Sequence, residues 1–157
     1  MSMLASPPTA PGLARRGIAI FYDGMLLLAL WFAVSALLLA LSGGLLTDPA
    51  RPAWLAYVHR ASLVLVTVLF FGGFWTHGGQ TLGMRAWRLQ LVNNSDGGRI
   101  SWRQVLVRLT AACLSFGALG LGFFWQWVDR ERRSWHDHLS GTRLVLLPKP
   151  RAGLKQP

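Results

Sequence analysis

Acidic residues are scarce in this 157-residue chain: six Asp and Glu stand against sixteen Lys and Arg, and charged residues of either sign make up only 14%. One cysteine, Cys113, excludes an internal disulfide and leaves the redox compartment unspecified. Charge is missing altogether from Gly24 to Thr47, from Ala61 to Met84 and from Leu109 to Val128. With 52% of its residues apolar, the chain is too oily for an ordinary soluble domain. A helix crossing a bilayer needs roughly 20 mostly apolar residues, so three segments of a membrane protein are on offer.

Other absences narrow the function. "GGQTLGMR", residues 78–85, has the glycines of a phosphate loop but not its Gly-Lys-Ser/Thr ending, and no strand precedes it. It reads better as a helix exit and re-start, with Gln80 and Thr81 capping backbone groups. There is no nucleophile elbow, and Ser35, Ser62 and Ser115 are expected to lack a plausible base, so no enzyme and no cofactor are expected. The first apolar run, 18–41, exceeds a signal-peptide core and lacks a cleavage site, which favours a retained span. Residues 1–12 and 148–157 read as disordered ends without lipidation signals.

The basic residues sit at the ends of the apolar segments. Arg15 and Arg16 precede the first, Arg85, Arg88, Arg99 and Arg103 lie between the second and third, and the connection 42–53 carries only Arg51 against Asp48. Counted near span ends, this asymmetry places the N-terminus and 76–103 in the cytoplasm. It also accounts for the basic excess without nucleic acid. The tail beyond Asp129 is basic too, which conflicts with three full crossings. Gly117, Gly120 and Gly122 weaken the third segment, 104–128, as a continuous helix, so we expect it to re-enter; the alternative is a span whose glycines allow close packing. "WRLQLV", 87–92, and "TRLVLL", 142–147, have strand character and could pair if both lie on one side. The expected fold is an all-α membrane domain over 13–147, with spans at 18–41 and 55–76, the third apolar segment and a small two-stranded cytoplasmic ribbon.

Asp23 lies inside the first span. An Asp at a span's centre costs roughly 2.5–3.5 kcal/mol, less toward the interface. Arg16, seven residues earlier, shares its helix face but would have to stretch, and Arg108 enters the third segment from the same side at similar depth. We therefore expect an Asp23 to Arg108 contact.

The opening "RRGIAIFYD", the "GGQTLGMR" turn, the third segment with Arg108 and the closing "SWHDHLSGTRLVLL" resemble the RDD family of small bacterial membrane proteins, over about 13–147. The resemblance implies a signature of one arginine and two aspartates. These map to Arg16 (Arg15 as the lesser choice), Asp23 and, through the closing motif, Asp137, with Asp129 as the fallback. Met84 departs from the lysine often found there. The motif-associated positions are Gly79, Gln80, Thr81, Gly83, His136, Gly141 and Thr142. His136 and His138 flank Asp137 and could share a metal only with a third ligand, for which His77 is the candidate; a turn or capping role is the simpler reading, and no metal is expected.

The resemblance leaves molecular function open; transport, including sodium/proton exchange, has been suggested for some members. Two readings follow: a small inner-membrane transport component with Asp23, Arg16, Arg108 and Asp137 lining a polar cavity, or a noncatalytic assembly or scaffold protein in which the same cluster is structural. The lipid bilayer is the first partner under either, with a homo-oligomer or another membrane protein as the second.

Overall fold

A computed structural model of the chain describes residues 10–148. The disordered ends expected at 1–12 and 148–157 fall outside it, apart from positions 10–12 and 148. An uninterrupted run without proline forms helix α1, Leu13–Leu41. Two glycines with left-handed backbone, Gly43 and Gly44, end it, and a short 3-10 turn, Leu45–Thr47, leads to α2, Ala53–Gly78. At about 1.5 Å per residue both helices exceed the roughly 30 Å of a hydrocarbon core.

The burial pattern of α1 is inverted relative to a helix in water. Phe21, Phe32 and Leu37 are exposed, whereas its buried residues are Arg16, Ala19 and Asp23. A helix apolar nearly all round, with its polar groups turned inward, is one surrounded by lipid. Polar bonds tie the two long helices midway and beyond: Trp31 Nε1 donates to Thr67 Oγ1 at 3.1 Å, and Ser35 Oγ lies 2.8 Å from His59 Nε2, so Ser35, expected to lack a base, has an imidazole beside it brought from the other helix. The first of these explains an aromatic side chain far from the membrane surface.

The remaining elements form a cap at the Arg16 end of the long pair. They are α3, Leu82–Ala86; β1, Leu89–Asn93; α4, Trp102–Gly117; α5, Leu121–Phe124, running into a 3-10 turn, Trp125–Trp127; α6, Trp135–Ser140; and β2, Thr142–Leu146. The architecture is the mostly helical one expected from sequence. Two helices are long and apolar enough to cross a membrane, or up to three if the bent pair formed by α4 and the segment 121–127 is one span.

That pair bends by 108°, at the glycine-rich stretch, where Leu119 and Gly120 both take left-handed backbone. β1 and β2 flank the pair and join as an antiparallel ribbon, Leu89 opposite Leu146 and Asn93 opposite Thr142. A straight crossing would carry residue 142 to the far end of the spans. The strand pairing instead returns the third apolar segment to the end from which it left. Beneath the ribbon, Leu89, Leu91, Ile100 and Val105 pack with Ala19, Trp75 and Met84 as one core. α4 is seated against α2 at Gly72, where an added Cβ would collide with the Trp102 ring.

Candidate functional site

The polar centre of the cap is built by its last helix. Ser134 opens α6 as one half of a capping box, with Asp137 as the other half. The carboxylate of Asp137 accepts from the Ser134 amide at 3.0 Å and from Ser134 Oγ at 2.7 Å. Two cations converge on the same group. Arg16 Nη1, from the first turn of α1, donates to Oδ2 at 3.0 Å, and Arg108 Nη1, from the middle of α4, donates to Oδ1 at 2.5 Å. Asp137 is fully buried and both arginines nearly so.

The remaining donors are also directed. Arg16 Nη2 reaches the Arg132 carbonyl at 3.0 Å and Nε the carbonyl of buried Pro11 at 3.3 Å. Arg108 also donates to Thr142 Oγ1 at 2.8 Å, and its guanidinium lies 5.4 Å from the centre of the Trp75 ring. Proton counting orders the hydroxyls. Ser140 donates to the His136 carbonyl, so the 2.7 Å contact between Ser140 and Thr142 runs from Thr142 to Ser140, leaving Thr142 free to accept from Arg108. Ser134 has given its proton to Asp137, so the 2.8 Å contact with His136 needs the proton on His136 Nε2.

Burial alone would push the Asp137 carboxyl up, but the charges of Arg108 and Arg16 together with Ser134 hold it well below the usual carboxylate range. Burial, reinforced by Arg108, pushes the His136 imidazole down to about 3. The cluster is therefore two guanidinium cations on one carboxylate beside a neutral imidazole.

Asp23 stands apart from it. Its Oδ2 accepts from Thr81 Oγ1 at 2.5 Å and its Oδ1 from the Gly83 amide at 2.9 Å. Thr81 is also the cap of α3, its hydroxyl accepting from the Met84 amide. The expected Asp23 to Arg108 contact is thus not formed: Arg108 turns to Asp137, and among the described residues Asp23 has no cation. The physical reason is that the start of a helix supplies unpaired N–H donors, and neutral donors can satisfy a carboxylate as a cation would. Gly83 makes the approach possible, since a Cβ there would lie 2.5 Å from the Ala19 carbonyl oxygen and 2.9 Å from the Asp23 carboxyl.

The other motif positions are structural neighbours of these two groups. Gly79 closes α2 in left-handed backbone, and its carbonyl accepts from the Leu91 amide at 2.7 Å. Gln80 Nε2 donates to the Leu89 carbonyl at 2.6 Å, fixing the start of β1. Gly141, also left-handed, turns α6 into β2. Asp129 lies outside the cluster, accepting from the Arg133 amide at 2.8 Å and facing His138 Nε2 at 3.2 Å. His77 is exposed and bonded to the Gly73 carbonyl. Among the described residues no three His, Cys, Asp or Glu gather as metal ligands.

Sequence reading missed Ser134 and Ser140. The Ser-x-x-Asp spacing of 134–137 is a capping-box signal that would have found the first. The Pro11 and Arg132 carbonyls carry no residue-type signature at all.

Long apolar helices with inward polar groups and a buried Arg–Asp–Arg cluster define a small helical membrane protein. The family model described as the RDD family matches residues 10–141, most of the chain. The chain belongs to the RDD family. No curated protein and no solved structure matched it.

Proposed function

We propose that this is a noncatalytic multi-pass protein of the bacterial inner membrane that serves assembly or scaffolding, its Arg–Asp–Arg cluster acting as a clasp that holds the cap to the spans. The observation that carries this reading is the enclosure of Asp137: four donors, two of them cationic, converge on its carboxylate in a fully buried setting. A carboxylate so occupied, already neutralised by two guanidinium cations and closed off from water, is poorly disposed to take a transported cation. The clasp joins residues 121 and 29 positions apart, so it ties the first helix, the third segment and the last helix into one body.

The arginines of the cap support a cytoplasmic orientation for this end, hence cytoplasmic termini. Arg85, Arg88, Arg99, Arg103, Arg130, Arg132, Arg133 and Arg143 join Arg15 and Arg16 there, while the opposite end has Arg51 and Arg60 with Asp48. The exposed cationic surface of the cap suits anionic lipid or an acidic partner protein.

Transport is the second reading, and one observation favours it: Asp23 is buried in a span with neutral donors only, beside a cleft lined by Tyr22, Met25, Leu26 and Leu82. Flux assays in proteoliposomes separate the two. The scaffold reading expects sodium- or proton-gradient-driven flux no faster than in protein-free liposomes. Flux that disappears in Asp23→Asn would establish transport instead.

A further inference from the structure

The end of the α1–α2 pair opposite the clasp holds a second polar group that the cap does not use. Ser35 lies roughly 28 Å along α1 from Arg16. There the ends of the two helices and their connection line a cavity of about 330 Å³, with Ser35, Thr47, Arg51, His59 and Arg60 together with Leu46 in its wall. Two guanidinium groups and an imidazole line it without a carboxylate. The nearest acid in sequence, Asp48, accepts from the Ala50 amide at 2.7 Å. Arg51 is held in place by a 2.6 Å bond from Nη1 to the Leu46 carbonyl, and Arg60 sits 6.0 Å from the centre of the Tyr57 ring. Neither is among the ion pairs found in the described residues.

A second observation concerns depth and shape. Ser35 and His59 each lie about 9 Å inside the ends of their helices. The helices overrun a hydrocarbon core of roughly 30 Å by about 13 Å for α1 and about 9 Å for α2, so this level lies at or a few Å inside the boundary between headgroups and acyl chains, within reach of a snorkelling arginine. A groove of about 280 Å³ adjoins the cavity, shares Leu46 and His59 with it, and is otherwise walled mainly by Leu38, Leu45, Leu55 and Val58. A cationic cavity adjoining an apolar groove matches a molecule that is anionic at one end and hydrocarbon at the other.

We propose that this cavity is a binding site for an anionic phospholipid of the leaflet opposite the cap, with the phosphate held by Arg51 and Arg60 and an acyl chain in the apolar groove. Arginine forks match phosphate oxygens geometrically, and a site that excludes carboxylates selects for that charge. The site is independent of the clasp and of whether the protein transports anything.

The test uses the full chain in detergent, with native mass spectrometry counting retained lipid during titration with phosphatidylglycerol. Wild type should retain one molecule preferentially, and uncharged diacylglycerol far less. The double variant Arg51→Gln/Arg60→Gln should weaken retention by roughly tenfold or more. Arg99→Gln/Arg103→Gln, which removes the same charge from the cap, should leave the first and tightest phosphatidylglycerol in place and reduce only the weaker, later-bound lipids drawn to the cap surface. Equal weakening by both pairs would mean general charge attraction and would overturn the site. Equal retention of diacylglycerol would overturn the role of the phosphate. Displacement of the lipid by millimolar inorganic phosphate, or binding of that phosphate alone, would make this a free-phosphate site and refute the lipid assignment. Both pairs of arginines are exposed, so thermal melting of the variants should match wild type and keep the comparison interpretable.

Discussion

Replacing Asp137 with asparagine keeps the shape of the side chain and deletes its charge. Arg16 and Arg108 would then face each other as buried cations with no anion between them, since His136 is held neutral. Removing one partner of a buried ion pair costs about 3–5 kcal/mol, mostly as the penalty for the charge left behind. Two arginines lose their partner here, but water can reach the cap surface once it loosens, so the middle of that range is the expectation. At about 2–4 °C per kcal/mol for a chain of this size, melting in detergent should fall by on the order of 10 °C. The assay is thermal unfolding followed by tryptophan fluorescence, with limited proteolysis to show that cleavage concentrates between 129 and 142. Arg16→Gln and Arg108→Gln should each be less damaging, because one cation remains on the carboxylate. An Asp137→Asn variant that melts within about 2 °C of wild type, a shift below roughly 1 kcal/mol, would refute the reasoning.

Asp23→Asn should be much milder, roughly 1–2 kcal/mol, because its amide oxygen still accepts from the Gly83 amide, the Thr81 hydroxyl can turn to accept from the new amide nitrogen, and no cation is orphaned; equal losses at Asp23 and Asp137 in the same melts would contradict this. Gly83→Val should destabilise more than Asp23→Asn, since its side chain meets the Ala19 carbonyl, and comparing the two melting curves checks the order. Stability should fall as pH drops from 6.5, because unfolded His136 binds a proton that the folded state refuses until about pH 3. The loss should approach roughly 2 kcal/mol by pH 5, and His136→Gln should flatten it. Asp137, held low in the fold, adds its own loss only below about pH 4, which separates its contribution from that of the histidine. In a Cys113→Ala background, cysteines placed at Arg99 and Pro148 should react with an impermeant maleimide from the same side of the membrane; labelling from opposite sides would break the ribbon topology.

The fold was legible where a single residue type carries the signal. Long charge-free stretches mark α1 and α2, the alternation in 87–92 marks β1, and the glycines of 117–122 mark the bend. The site was only half legible. Arg16, Asp23, Arg108 and Asp137 stand out as ionisable groups near or within apolar sequence, and all are buried. Their pairing was not legible. Asp23 is satisfied by a threonine hydroxyl and a glycine amide, and backbone donors look alike at every position. Arg108 was expected at similar depth to Asp23, but depth along two helices says nothing about rotation around them. The fold turns Arg108 toward α6, where Asp137 already fills the capping position behind Ser134. Ser134 was the missed clue, because its spacing to Asp137 predicts a helix start that turns the carboxylate back onto the Ser134 amide.

The central claim is that Asp137 clasps the first helix to the last. A double-mutant cycle of Arg16→Gln against Asp137→Asn, read from unfolding in detergent, tests it most directly. A coupling of about 2 kcal/mol is expected, the single losses overlapping because each removes the same tie. Additive losses, with coupling within a few tenths of zero, would show that the two residues are neighbours without being a clasp.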